Sequence, residues 1–293
     1  MDDRALSTFR ALPARPTACA GTVYPRDPAH LRRALDAWLD GARAAHVAPP
    51  RLVVSPHIDY LRGAAGYARA AAALAAAAAD VFVVFGTAHA SPPHLFTLTR
   101  RHYATPLGPV ATDRAAVGAL VAELGEAELL ADERCHAGEH SVELQLVILK
   151  HLVRRAFTAL PVLCSSISHL EDPARFTDRF LAALGRAVRG RSVCFVASAD
   201  LAHVGPLYGD RRPPTAAEAA AVEADDRRTL AFVEAGDPAG FHRDAARDDA
   251  RRRLCGTAPI YAAMRASGRA ARLLHYERWT DGRDSVSFAA AAG

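Results

Sequence analysis

The chain has 293 residues, 51% of them hydrophobic, and a formal net charge of +4. This length and apolar content supply a substantial core and argue against disorder. The positive excess is small and spread along the chain, so it does not predict nucleic-acid binding, which requires a concentrated basic face. No apolar run is long enough to span a membrane, and the first residues lack the pattern of a secretory signal. We therefore expect a cytoplasmic protein without a membrane partner.

The cysteines are widely spaced and form no C-x-x-C pair. Small disulfide scaffolds use an even number of cysteines, and structural zinc sites use closely paired ones. The sequence therefore disfavours both a disulfide framework and a four-cysteine zinc site. The five cysteines are Cys19, Cys135, Cys164, Cys194 and Cys255.

Helical and strand patterns alternate along the chain. The first helix is predicted over residues 27–45, since Asp27 and Pro28 suit an amino-terminal cap and first turn. The charge run from Arg243 to Leu254 has mixed signs, which predicts a solvated helix or loop. Buried strands are expected near 52–55, 81–86, 158–163 and 192–198, with helices near 66–79, 113–124, 140–154, 173–189 and 215–235, another helix after Cys255 and a last strand near 285–290.

Continuous apolar strands separated by helices indicate a mainly parallel sheet that is covered on both faces. We therefore predict an α/β fold of three layers, with helices on either side of a central, mostly parallel mixed sheet. Residues 94–113 show alternation and turn signals, which predict an antiparallel hairpin added to this sheet. No internal repeat or linker divides the sequence, so we expect a single domain over residues 1–293.

Three predicted strands each end in a short turn followed by a histidine. "RLVVSPHIDY" leads to His57, "VFVVFGTAH" to His89, and "SVCFVASADLAH" to Asp200 and His203. In open α/β sheets, functional groups gather beyond the carboxyl ends of the strands. One such histidine is more often structural, but three in the same topological position predict a shared site.

Six stretches of the sequence carry a resemblance to a known family, and they occur in the family's order. They are "AGTVYP" (20–25), "SPHIDYLRG" (55–63), "FGTAH" (85–89), "EHSVELQLVIL" (139–149), "SADLAHVG" (198–205) and "CGTAPI" (255–260). Together they resemble the Memo family, including its bacterial branch, AmmeMemoRadiSam system protein B. The resemblance implies a fold like that of the LigB-type class III extradiol dioxygenases, which are non-haem iron enzymes.

The resemblance also implies a metal ion on His57, His89 and Cys255. Imidazole and thiolate ligands suit Fe(II), which we expect first, and also copper and zinc. Ring-cleaving dioxygenases use a carboxylate where this chain has Cys255, so ring cleavage itself is not implied. Gly256 and Pro259 predict a helix start that would stabilise a thiolate. The alternative is an inert, buried thiol.

His203 and Asp200 are the candidate catalytic residues beside that metal. Histidine has an ordinary pKa of about 6.5, which suits a general acid or base. Asp200 either orients His203 or binds the metal. The structural alternative is a hydrogen-bonded loop pair.

Four further residues are expected to line the pocket. The family's first motif is often His-Ala-Gly-Tyr, whereas this chain has "HIDY" at residues 57–60, which retains Tyr60 and introduces Asp59. Asp59 either orients the ligand histidine or changes which metal binds. His140 and Glu143 stand at the start of a helix whose apolar positions are mostly core.

Two other classes of function compete with a redox enzyme. "HAGEH", residues 136–140, contains the H-x-x-E-H pattern of a zinc hydrolase, for which Glu139 and Glu143 would supply the base and a supporting ligand. Gly138, however, predicts that the helix begins only near residue 139, which separates the two histidines. The other class is a non-catalytic scaffold that retains the pocket. The bacterial branch implies a radical S-adenosylmethionine protein and an AMMECR-type protein as partners, with an unidentified small molecule or peptide as ligand.

Overall fold

The computed structural model describes residues 3–40 and 49–293. Its helices are α1 (Asp3–Ala11), α2 (Pro28–Leu39), α3 (Ala64–Ala76), α4 (Arg114–Leu124), α5 (Glu126–Leu129), α6 (Ser141–Leu152), α7 (Ala174–Ala187), α8 (Ala216–Ala235), α9 (Pro238–Arg247), α10 (Asp249–Arg252) and α11 (Thr257–Ser267). Its strands are β1 (Ala14–Arg15), β2 (Leu52–Ser55), β3 (Val81–Thr87), β4 (Phe96–Leu98), β5 (His102–Tyr103), β6 (Thr158–Cys164), β7 (Val193–Ser198), β8 (Asp200–Val204), β9 (Arg272–Thr280) and β10 (Ser285–Ala292).

The main sheet has four parallel strands at its centre, in the order β6, β3, β7 and β2. On one side β4 runs antiparallel to β6, and on the other β10 runs antiparallel to β2. β10 also pairs antiparallel with β8 and with β9. The predicted three-layer α/β/α fold with a mostly parallel, mixed sheet is confirmed.

Side chains of the central strands alternate between two cores. In β3, Val81, Val83 and Phe85 pack against α4, α7 and α11. Phe82 and Val84 point to the opposite face and pack against α2, α3 and α6. Full burial of such a side chain stabilises the fold by roughly 1.5–3 kcal/mol. Both faces of the sheet therefore hold the strands, and the residues at their ends, in fixed positions.

Local capping explains why several helices begin where the sequence predicts. Asp27 accepts a hydrogen bond from the backbone N–H of His30 at 2.7 Å before α2. Thr215 and Glu218 form a capping box at the start of α8. Each cap contributes about 1 kcal/mol. Of the first predicted helix, residues 41–45 lie outside the described residues.

The predicted hairpin over residues 94–113 is confirmed only in part. Tyr103 and Val110 form an antiparallel bridge, with N–H to carbonyl distances of 3.0 and 2.8 Å, but this bridge lies outside the main sheet. β4 does join the sheet, antiparallel to β6. β5, in contrast, pairs in parallel with β1 in a separate two-stranded sheet, where Arg15 lies opposite Tyr103. The strand that pairs with β5 thus comes from a distant part of the chain, which local alternation of residue types does not reveal.

Two other expectations are corrected in the second half of the chain. β8 follows β7 almost directly, so His203 lies within an antiparallel strand rather than in a loop beyond a parallel one. The charge run of residues 243–254 is helical over most of its length, but it is not wholly solvated. Its Arg252 is fully buried and bonded to Asp226.

Among the helices of residues 3–40 and 49–293, none combines the length and apolar character that crossing a membrane requires.

Candidate metal centre

The three predicted metal ligands converge at the carboxyl edge of the parallel strands. His57 follows β2, His89 follows β3, and Cys255 precedes α11. Their donor atoms all lie within 4.8 Å of one another. Cys255 Sγ is 3.2 Å from His57 Nε2. His57 and His89 are brought together because the parallel strands β2 and β3, on either side of β7, end at the same edge, and the loop before α11 brings Cys255 to them.

The cluster opens into a cavity of about 690 Å³. The volume lies within the range of small-molecule binding sites. The lining includes the three ligand candidates and four more of the predicted site residues, Asp59, His140, Asp200 and His203.

Tyr60 and Glu143 do not line this cavity, so their assignment as pocket residues is wrong. Tyr60 is buried in the core and its hydroxyl donates to the carbonyl of Leu144 at 2.6 Å. Glu143 is fully buried and paired with Arg15. Both residues are close in sequence to residues that line the cavity, but their side chains are buried in the protein interior.

His57 is oriented by the end of the neighbouring strand. Its Nδ1–H donates to the carbonyl of Ser198 at 3.0 Å, which leaves the lone pair of Nε2 directed at Cys255. Its backbone N–H donates to Asp200 Oδ1 at 2.9 Å. Burial, followed by the nearby His89, lowers the pKa of His57 to about 3. The ring is therefore neutral at physiological pH, as a metal ligand must be.

Gly256 permits the approach that brings Cys255 to the site. Its N–H donates to the carbonyl of Asp200 at 2.9 Å. A β-carbon at residue 256 would lie 2.4 Å from that same oxygen, so only glycine fits. Thr87 holds the other side of the loop by donating from Oγ1 to the carbonyl of Cys255 at 2.9 Å.

The expectation that the following helix stabilises a Cys255 thiolate is not met by the protein alone. Burial, with the charge of Asp200, raises the pKa of the Cys255 thiol. The sulfur is therefore protonated until a cation enters the site. Metal binding would then displace that proton.

His89 and His140 stand together on one wall of the cavity. Their rings stack, with centroids 4.6 Å apart and planes inclined by 23°. Burial and the nearby His57 lower the pKa of His140 to about 4. Burial also acts to lower the pKa of His89, but the hydrogen bond and charge of Glu139 outweigh it and raise that pKa above its ordinary value.

Asp200 and His203 both face the cavity, but Asp200 does not orient His203 directly. His203 Nδ1–H donates to the carbonyl of Leu201 at 3.0 Å, and its ring packs edge-on against Tyr208. The contacts of Asp200 are instead with His57, whose Nε2 lies 3.7 Å from Asp200 Oδ2. Burial raises the pKa of Asp200 and lowers that of His203.

Asp59 lines the cavity but does not orient His57. Its carboxylate pairs with Arg62 at 2.8 Å and accepts the backbone N–H of the same residue at 3.0 Å. Arg62 in turn lies over the ring of Trp279, 4.1 Å from its centroid. The first of the two roles expected for Asp59 is therefore excluded by its geometry.

The structure argues against the zinc-hydrolase pattern. α6 begins at Ser141, and residues 133–137 form a separate short 3₁₀ helix. His136 is fully buried, with Nδ1 2.6 Å from the Tyr103 hydroxyl and Nε2 3.0 Å from the carbonyl of Thr97. His140 instead faces the cavity. The two histidines therefore do not share a helix face, as that chemistry requires.

The sequence did not predict that Glu139 contacts the cavity histidines; it suggested only a hydrolase base at this position. Its carboxylate contacts both His89 and His140. The available signal was an acidic residue placed directly before the pocket histidine in "EHSVE".

The donor set fits a divalent transition-metal ion. Metal–ligand bonds of about 2.0–2.3 Å place the ligand atoms of a tetrahedral site roughly 3.3–3.8 Å apart. The donors of His57, His89 and Cys255 lie within 4.8 Å of one another, so shifts on the order of 1 Å would complete the geometry. Three protein ligands would leave a fourth position of such a site for a small molecule.

Fold and site together define an α/β protein with a candidate metal centre of two histidines and one cysteine at the carboxyl edge of its sheet. A family model described as Memo-like protein matches residues 15–292. The chain belongs to this family, and the resemblance drawn from its motifs is confirmed.

Curated relatives agree with this assignment. A MEMO1 family protein of Methanococcoides burtonii is 30% identical over 261 residues, which cover 86% of this chain and 87% of the relative. MEMO1 family proteins of Methanosarcina barkeri and Methanosarcina mazei are 27% and 28% identical over 268 residues, covering 89% of this chain and 91% of each relative.

Proposed function

We propose that this Memo-family protein is a metal-dependent redox enzyme that holds Fe(II) on His57, His89 and Cys255. The observation that carries the proposal is the convergence of these three donors within 4.8 Å at the wall of a large cavity. Bound Fe(II) would supply redox chemistry with dioxygen or a reduced oxygen species, and copper and zinc compete for the same donors.

The protein's own residues would prepare the cavity for this chemistry. The hydrogen bond from His57 to Ser198 fixes which ring nitrogen faces the metal position. His203, whose Nδ1 is engaged with Leu201, presents Nε2 as the nitrogen that can accept a proton from a ligand. The cavity also has apolar walls, among them Val23, Ile58 and Leu144, which can contact the apolar part of a small molecule.

Metal content of anaerobically purified protein tests the first step of the proposal. We expect one iron per chain after loading with Fe(II). Cys255→Ser should strongly reduce the affinity for iron, copper and zinc, because a thiolate ligand is lost. Cys19→Ser is a matched control, since Cys19 also lines the cavity but lies outside the donor cluster. Equal loss in both variants would contradict the assignment.

His203→Ala separates proton transfer from metal binding. We expect the variant to keep its iron but to consume dioxygen ~10²–10⁴-fold more slowly, the usual contribution of a positioned acid or base. The measurement is oxygen uptake by the iron-loaded protein with an external reductant. Loss of iron from His203→Ala would instead make His203 a ligand.

The same experiments decide between the enzyme and a scaffold. A protein that takes up no stoichiometric metal, before or after loading, would be a binding protein that retains the pocket. We also propose a cytoplasmic location, and partnership with a radical S-adenosylmethionine protein and an AMMECR-type protein. Support for these partners comes from the resemblance to the bacterial branch of the family. Co-purification with each protein would test it.

A further inference from the structure

Glu139 is a buried carboxylate between two histidines of the cavity. Its side chain is 3% exposed and lies in the turn that leads into α6. Oε1 accepts a hydrogen bond from His89 Nδ1–H at 3.0 Å and lies 3.3 Å from His140 Nδ1. The backbone N–H groups of His89 and Ser141 also donate to this carboxylate, each at 2.9 Å. One carboxylate thus contacts both imidazoles and the two chain segments that carry them.

The hydrogen bond from His89 determines which nitrogen of that ring carries the proton, and the same carboxylate lies 3.3 Å from Nδ1 of His140. A carboxylate beside Nδ1 favours the tautomer with hydrogen on Nδ1, and this leaves a lone pair on Nε2. The rings of His89 and His140 are nearly parallel, and their Nδ1 atoms approach the same oxygen.

We propose that Glu139 is a shared positioning residue, which fixes the tautomer and orientation of both the metal ligand His89 and the cavity residue His140. The role of His89 as a ligand rests on the function proposed above. The positioning of the two rings is a property of the metal-free protein as well.

A rival interpretation is that Glu139 itself binds a second metal ion. Donor atoms of His89, Glu139 and His140 also lie within 4.8 Å of one another. The hydrogen bonds favour the positioning role, because the carboxylate already accepts from one ring and two backbone N–H groups. A metal ion in that position would displace the ring proton that now bonds Glu139.

The direct test is the affinity of Glu139→Gln for Zn(II), measured by competition with a chelator. An amide has one acceptor oxygen, and its NH₂ group would oppose a ring N–H, so at least one histidine loses its acceptor. We expect a loss of affinity of about 10–100-fold, typical for a residue that orients a ligand histidine.

Glu133→Gln is the matched control for loss of a buried carboxylate. Glu133 has a 2% exposed side chain and accepts from Thr99 and from the backbone N–H of Arg100, each at 2.8 Å, away from the cavity. Its substitution should leave the affinity for Zn(II) unchanged. A folded Glu139→Gln protein that binds Zn(II) as tightly as Glu133→Gln would overturn the proposal. Two ions per wild-type chain and one in Glu139→Gln would make Glu139 a ligand instead.

Nitrogen-15 chemical shifts of the metal-free protein give a second readout that needs no metal. Above the pH range in which histidine titrates, the shifts of His89 and His140 should show hydrogen on Nδ1 in the wild type and in Glu133→Gln. In Glu139→Gln at least one ring should change tautomer. A wild-type His89 with hydrogen on Nε2 would overturn the proposal even if the variant did not fold. Wild-type protein with the expected tautomers but no metal would contradict the proposed function alone.

Discussion

Glu139 and Glu143 lie four residues apart at the start of α6, yet they serve two different regions. Glu139 faces the cavity and contacts His89 and His140. Glu143 faces the interior and forms an anchor cluster with Arg15 and the Tyr24 hydroxyl. Both side chains are almost completely buried. The comparison shows that burial and proximity in sequence do not identify a residue of the functional site.

The two carboxylates differ in whether their hydrogen-bond partners keep a polar atom available for a ligand. In the anchor cluster the Glu143 carboxylate accepts from Arg15, from Tyr24 and from the backbone N–H groups of Ala18 and Cys19, at 2.8 and 3.0 Å for the latter two. Its polar groups are satisfied inside the protein, which is typical of a structural network. In the cavity, Glu139 satisfies one nitrogen of a ring, and the other nitrogen is left for a ligand.

Removal of Glu143 should have the largest effect on stability. Glu143→Ala leaves the fully buried Arg15 without its charge partner, so we expect the free energy of unfolding to fall by about 3–5 kcal/mol. Urea denaturation at neutral pH measures this change in the free energy of unfolding. Replacing both partners, as in Arg15→Met with Glu143→Leu, should recover only the part of the loss that comes from the unpaired charge, because the N–H groups of Ala18 and Cys19 still lack their acceptor. A fall below about 1 kcal/mol in Glu143→Ala would mean that solvent reaches Arg15.

Gly256→Ala should affect the cavity more than the fold. The added β-carbon would lie 2.4 Å from the carbonyl oxygen of Asp200, so the loop that carries Cys255 must move. We expect a loss of about 1–3 kcal/mol in stability, the range for overpacking, together with weaker Zn(II) binding. Gly138→Ala is the control, since residue 138 also lines the cavity but has open space around it. Equal behaviour of the two variants would contradict the role of Gly256.

Acid should destabilise the protein through His136, beside the anchor cluster, as it does through the buried cavity histidines His57 and His140. Burial lowers the pKa of His136 from 6.5 to about 3. Below pH 6.5 the unfolded chain takes up a proton that the native ring does not, so stability falls as pH falls, by about 1.4 kcal/mol per pH unit down to the folded pKa. In His136→Gln the free energy of unfolding should depend less steeply on pH, by an amount that corresponds to about one proton. An unchanged slope between pH 6 and 4, roughly the range of this linkage, would contradict the assignment.

Asp59→Asn should have the smallest effect. Asp59 pairs with Arg62, whose side chain is 47% exposed, and such pairs contribute about 0–1 kcal/mol. Because Asp59 does not contact His57, Zn(II) affinity should stay unchanged. Asp200→Asn gives the contrast, since Asp200 accepts the backbone N–H of His57 and should matter for metal binding. A tenfold loss of affinity in Asp59→Asn would return this residue to the metal site.

The sequence by itself determined the layered fold and most of the candidate metal site. An apolar run such as Val81–Phe85, between helical segments, is typical of a strand in a sheet covered on both faces, because every side chain of the run must leave water. Parallel strands then end at one edge, so the residues after them had to be neighbours. By that topological rule the sequence alone predicts that His57 and His89 lie close together, and the structure confirms it.

Only the tertiary structure decided where side chains point and which distant segments meet. Tyr60 follows a cavity residue but turns into the core, and His203 belongs to a strand that forms by pairing with β10. Glu143 differs from Glu139 because it pairs with Arg15, which lies more than a hundred residues earlier in the chain. Local patterns record how a segment buries its own apolar residues. The partner of a buried charge is set by the packing of elements far apart in sequence, which those patterns do not contain.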